Sequence, residues 1–73
     1  MFARVVMDIT KKFGKRVKEA RLKKKLSQAA LADKLGLHST YISQVERGIR
    51  NMALKNIEKL AKALKVKIEE LIK

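Results

Sequence analysis

The chain has 73 residues, room for one hydrophobic core close to the lower size limit, so a partner chain would help its stability. Its 19 Lys and Arg against seven Asp and Glu give a net charge of +12, which calls for a polyanionic partner or an anionic surface. With no Cys and the single His38, disulfides, thiolate metal sites and a histidine-built metal cage are excluded, and neither metal nor cofactor is expected.

Residues 1–7, MFARVVM, are interrupted by Arg4 and followed by Asp8. That is too short for a signal-peptide apolar region or a transmembrane helix, so a soluble cytoplasmic protein is the expectation. Rich in Val and Phe, the segment is read as a short extended arm over 1–8, with an extension of the first helix as the alternative. From Ile9 to Lys25 the apolar positions Ile9, Phe13, Val17 and Ala20 recur every three or four residues, which predicts an amphipathic helix despite Gly14. Ser27 can cap a second helix, Gln28 to Leu35, with Gly36 as its left-handed stop. A third helix is predicted over about Ser39 to Arg47, ending at Gly48. A fourth rests on Leu54, Ile57, Leu60, Ala61 and Leu64. Ile68, Leu71 and Ile72 suggest a fifth, separated by a break near Lys65 and Val66, with one continuous helix as the alternative because no Gly, Pro or good N-cap residue stands between them. There is no Pro and no low-complexity linker, so the expectation is one all-α, five-helix domain over 1–73.

The third helix is two-sided. At about 100° per residue, Ser39, Thr40, Ser43, Gln44 and Arg47 share one face, while Tyr41, Ile42 and Val45 share the other. Short hydroxyls and an amide can approach base edges in a groove wide enough to admit a helix. A solvated face that happens to be polar is the competing reading. The flanking spacing bears on that choice: small Ala32, Gly36, and apolar Leu31, Leu35, Leu37, Ile42 and Val45 stand where two helices crossing steeply through a tight turn need them.

These residues resemble the helix-turn-helix over 27–48, and LSQAALADKLGLHSTYISQVERGIRN is similar to the Cro/repressor-type (Xre-like) family of bacterial and phage regulators. The likeness covers roughly residues 12 to 72. Within the family, TYISQVERGIRN running on into LKNIEKLAKAL is most like the controller proteins of restriction-modification systems, although prophage repressors and antitoxin-type regulators share most of these residues. Three positions depart from the controller pattern: Ser39 where Arg is frequent, Met52-Ala53 where Pro-Ser is frequent, and Lys65 where Gly is frequent. The first bears on the operator sequence and the others on the ends of helix four.

The resemblance implies base-facing roles for Ser39, Thr40, Ser43 and Gln44. Gln suits adenine, and the Thr methyl suits that of thymine; phosphate contact or plain exposure stays the alternative for each. Arg50, in the following loop, can reach guanine or, more in keeping with most protein–DNA hydrogen bonds, a phosphate. Arg47 and Asn51 are phosphate or loop contacts. Gln28 heads the second helix, where an N-terminus can bind phosphate, and His38 starts the third near DNA. Tyr41 is read as packing at the core's edge with its hydroxyl available to the DNA backbone. Glu46, on the seam between the two faces, is implied to pair with Arg21 of helix one. Nine of the basic residues fall between Lys11 and Lys25 and are read mostly as a solvated, diffusely attractive face.

The expected function is a sequence-specific, double-stranded-DNA-binding transcriptional regulator that acts as a homodimer on a pseudo-palindromic operator. If it activates, RNA polymerase is a further partner. The dimerisation element is placed at 66–73 and the preceding turn, through Leu64, Val66, Ile68, Leu71 and Ile72, with closure of the chain's own core by these residues as the competing reading. A non-specific nucleoid binder would carry the same charge. A cationic membrane-surface protein fits less well, because helix one has a narrow apolar stripe and the chain no Trp. An enzyme fits least, for want of a paired-carboxylate constellation or a Gly-rich phosphate loop.

Overall fold

The computed structural model describes residues 2–72, with residues 2–8 described by their backbone alone. Its helices are α1 (Phe2–Lys23), α2 (Gln28–Leu35), α3 (Ser39–Glu46), α4 (Leu54–Leu64) and α5 (Ile68–Ile72). Residues 2–8 are the first turns of α1 rather than an extended arm. Continuing a helix that is already nucleated adds a hydrogen bond per residue fixed, and no Pro or Gly interrupts it there. The β preference of Val5 and Val6, which depends on a partner strand, does not prevail.

Local chemistry ends each helix. Lys24 and Lys25 lie outside α1, because Lys25 turns left-handed at φ 57° and the Leu26 N–H donates back to the Arg21 carbonyl at 3.2 Å. The Ser27 hydroxyl caps α2 by accepting from the Ala30 N–H at 3.0 Å. Gly36, at φ 69°, closes α2 and lets the Leu37 N–H reach the Ala32 carbonyl at 2.9 Å. The break between α4 and α5 uses the same geometry without glycine. Lys65 sits at φ 56°, the Val66 N–H donates to the Ala61 carbonyl at 3.0 Å, and the Lys67 N–H then donates to Glu70 Oε2 at 2.9 Å. That last bond is half of a capping box, which starts α5 without a Ser, Thr, Asp or Asn cap.

α1 packs on α3 and α5, α2 packs on α3 and α4, and α4 meets α5. Phe13 and Val17 of α1, Leu31, Ala32 and Leu35 of α2, Ile42 and Val45 of α3, Leu60, Ala61 and Leu64 of α4, and Leu71 of α5 fill the core, with Met52 of the loop between α3 and α4. The expected assignment of Leu64 and Leu71 to a dimer surface is therefore corrected. Both are fully buried within the chain, because α5 folds back and closes the end of the α1–α4 layer. Val66 is half-buried against the same core. Ile9 and Leu54, expected on core-facing stripes, are instead 61% and 85% exposed: each stripe runs about a turn beyond the layer that covers it.

Candidate nucleic-acid interface

α3 is held from behind by its apolar face and from the side by α1. Ile42 and Val45 are fully buried, so the opposite positions must face outward. Ser39, Thr40, Arg47 and Arg50 are exposed, and Ser43 and Gln44 are half-exposed beside them. One surface thus carries hydroxyls, an amide and two guanidinium groups, chemistry that can donate to and accept from base edges and phosphates alike.

Two features at the α1–α3 crossing fix the angle at which that face is presented. A Cβ added at Gly14 would lie 2.2 Å from the Val45 carbonyl oxygen and 2.8 Å from that of Glu46, so only glycine allows the two backbones this close. Gly in mid-helix costs roughly 0.5–1 kcal/mol relative to Ala, which makes its occurrence a sign of such an approach; the periodicity of apolar residues does not register it. The second feature is the Arg21–Glu46 pair. Arg21 Nε donates to Glu46 Oε2 at 2.7 Å and Nη2 to Oε1 at 3.0 Å, with side chains only 8% and 3% exposed. The remaining Arg21 Nη1 donates to the Leu26 carbonyl at 2.7 Å. The hydrogen bonds that Arg21 donates to Glu46 raise its pKa above an already high value, against the opposing effect of burial, so the guanidinium stays charged at any working pH.

Gln28 joins this network rather than pointing to solvent. Its amide nitrogen donates to Glu46 Oε1 at 3.1 Å, so the α2 residue expected to hold phosphate also braces α3. His38 occupies the N-cap of α3 without a side-chain capping bond and is exposed.

The loop after α3 is tied at both ends. Gly48 is left-handed at φ 76°, and a Cβ there would come within 2.8 Å of Lys11 Cα. Thr10 Oγ1 donates to Asn51 Oδ1 at 2.8 Å, linking α1 to the loop; nothing in the sequence pattern marked Thr10. The Tyr41 hydroxyl faces the Asn51 carbonyl at 3.4 Å, a long contact, instead of standing free as expected. Arg50 lies over the Tyr41 ring, 4.7 Å from its centroid, and its Nη1 donates to Gln44 Oε1 at 3.1 Å. Ser39, Thr40, Ser43, Gln44, Arg47 and Arg50 are thereby gathered on one side, with Asn51 at its edge.

Away from this face, Leu54, Ile68 at 41% and Ile72 at 59% exposure remain uncovered. Ile72 borders a shallow cleft of about 290 Å³ whose apolar walls are Ile9, Phe13, Met52 and Ile57. Among the described residues no cluster of His, Cys, Asp or Glu could hold a metal ion, and no helix is long and apolar enough to cross a membrane.

Comparison with known proteins gives a match to the helix-turn-helix family over residues 17–71. The chain is 51% identical over 61 residues to the control protein C.BamHI of Bacillus amyloliquefaciens, an alignment spanning 82% of this chain and 75% of that one. It is similar to the crystal structure of the restriction-modification controller protein C.AhdI from Aeromonas hydrophila, with a TM-score of 0.85 at 48% identity over 89% of this chain and 94% of that one. SinR, a master regulator for biofilm formation solved in complex with DNA, matches with a TM-score of 0.79 at 32% identity, over 84% and 98% of the two chains.

Proposed function

This chain belongs to the helix-turn-helix family, among its control proteins, and from there we propose that it is a transcriptional regulator of a restriction-modification system that binds a pseudo-palindromic operator as a homodimer. The observation that carries the reading is the outward face of α3: short polar side chains in front, Ile42 and Val45 locked behind, and the whole helix pinned to α1 by a buried ion pair. A face meant only for solvent has no need of such fixing. Ser39, Thr40, Ser43 and Gln44 read base edges in the major groove, while Arg47, Arg50, His38, Tyr41, Asn51 and the α2 end at Gln28 serve the phosphate backbone. The lysines of α1 add attraction that does not depend on sequence.

A second copy completes the binding unit. Its contact surface is formed by the apolar residues that α5 leaves uncovered, Ile68 and Ile72, together with half-buried Val66 of the turn before it. Leu64 and Leu71 support that surface from beneath. Two-fold pairing sets the two α3 helices on half-sites one helical turn, roughly 34 Å, apart. If the protein activates as well as represses, RNA polymerase is a further partner.

Selection of duplexes from a randomised library on the full chain tests the reading. Enrichment of a two-fold symmetric sequence with half-sites about one turn apart is expected. Retention of duplexes without any consensus would identify a non-specific binder instead.

A further inference from the structure

The Gln44–Arg50 contact determines which base Gln44 can read. An amide side chain free on a recognition helix offers one acceptor and two donors, a combination that matches adenine's N7 acceptor and N6 donor. Here Arg50 Nη1 donates to Gln44 Oε1 at 3.1 Å. A guanidinium has five donors and no acceptor, so its neighbour must turn the oxygen toward Arg50 and the NH2 away from it. The guanidinium is itself located from a second direction, lying over the Tyr41 ring at 4.7 Å, and such stacking favours Arg over Lys. Tyr41 in turn is half-buried against the core, so the assembly is anchored to the fold rather than hanging in solvent.

We propose that Arg50 is a positioning residue that changes the specificity of α3: paired with it, Gln44 presents an edge of donors and takes guanine, which shows two acceptors, N7 and O6, in the major groove. Adenine is disfavoured, because its N6–H2 would have to donate to an oxygen turned toward the Arg50 cation, whose charge repels a second donor even though the oxygen keeps a second lone pair. This inference rests on Gln44 contacting a base, the reading given above, and it reverses the preference that Gln44 would show alone.

The experiment is duplex selection from a randomised library by the wild-type chain, Gln44→Ala, Arg50→Lys and Arg50→Ala, at one salt concentration. Gln44→Ala identifies the base position that depends on Gln44. At that position the wild type is expected to favour guanine over adenine by roughly tenfold or more. Arg50→Lys keeps the charge for any phosphate contact but loses the fork and the stack, and it should move the preference to adenine, as should Arg50→Ala. Both side chains lie at the surface, and unchanged melting of each variant confirms that fold is not at issue. Adenine at that position in the wild type, or guanine retained in both Arg50 variants, overturns the proposal while leaving Gln44 a base reader. A selection profile unaltered by Gln44→Ala would remove the base contact itself and the proposal with it.

Discussion

The crossing of α1 with α3 and the end formed by α4 and α5 are built in opposite ways. At the crossing, backbone touches backbone at Gly14, and a bidentate ion pair lies almost wholly out of water. At the α4–α5 end, a lysine holds the left-handed turn that glycine would hold without steric cost, and isoleucines face outward. The first region needs nothing beyond the chain, and any change there falls on the orientation of α3. The second is closed by Leu64 and Leu71 but leaves apolar surface that a second copy would cover. Substitutions at the crossing should therefore alter stability independently of protein concentration, whereas those on the outer face of α5 should alter its concentration dependence.

Glu46→Ala carries the largest expected effect, a loss of about 3–5 kcal/mol in unfolding free energy, because it strands the Arg21 guanidinium in the interior. Much of the stability of a chain this small would go with it. Denaturant titration measures the loss, and a midpoint equal to that of the wild type would mean that the pair is not held in a dry environment. Gly14→Ala should follow, at about 3 kcal/mol, since the added methyl meets carbonyl oxygens and not a movable side chain. In an ordinary exposed helix the same change stabilises by up to roughly 1 kcal/mol, so the sign alone decides whether the close approach exists in solution.

For the α4–α5 end, Ile68→Asp should leave a folded chain that sediments as a monomer and binds a two-half-site operator roughly a hundredfold more weakly, because the second module is no longer linked to the first. A dimer that survives this change would move the interface elsewhere on the molecule. The smallest effect expected is a gain. Lys65→Gly should raise stability by up to about 1 kcal/mol, relief of left-handed strain being partly offset by glycine's greater freedom in the unfolded chain. A lower melting temperature for Lys65→Gly would show that the lysine side chain contributes contacts that outweigh the strain.

The two regions also differ in how well the sequence describes them. Gln28–Leu35 is readable from its flanks and periodicity, with the Gly36 stop from its residue type, whereas Leu54–Leu64 is readable from periodicity alone, since Ala53 and Lys65 at its ends are no cap signals. Glu46 stood out because an acid beside a DNA-facing surface requires a partner, and resemblance supplied Arg21. What the pattern does not carry is which apolar residues find cover. Leu71 and Ile72 are adjacent and similar, yet one is buried and the other exposed, and only the fold of α5 back onto α1 separates them. Gly14 looks like a weakness in a helix until the neighbouring backbone is in place, and the Thr10–Asn51 and Gln44–Arg50 bonds join side chains whose meeting depends on the path of a loop.

Whether the fixed outward face of α3 reads sequence is decided by the ratio of two affinities of the wild-type chain. One is for a duplex recovered by selection and the other for a scrambled duplex of the same length and composition, both measured at the same near-physiological salt. A ratio of roughly 10³ or more is expected of a specific regulator. Equal affinities that fall in parallel as salt is raised would contradict sequence readout by α3, leaving the charge of the chain as the whole of its attraction to DNA.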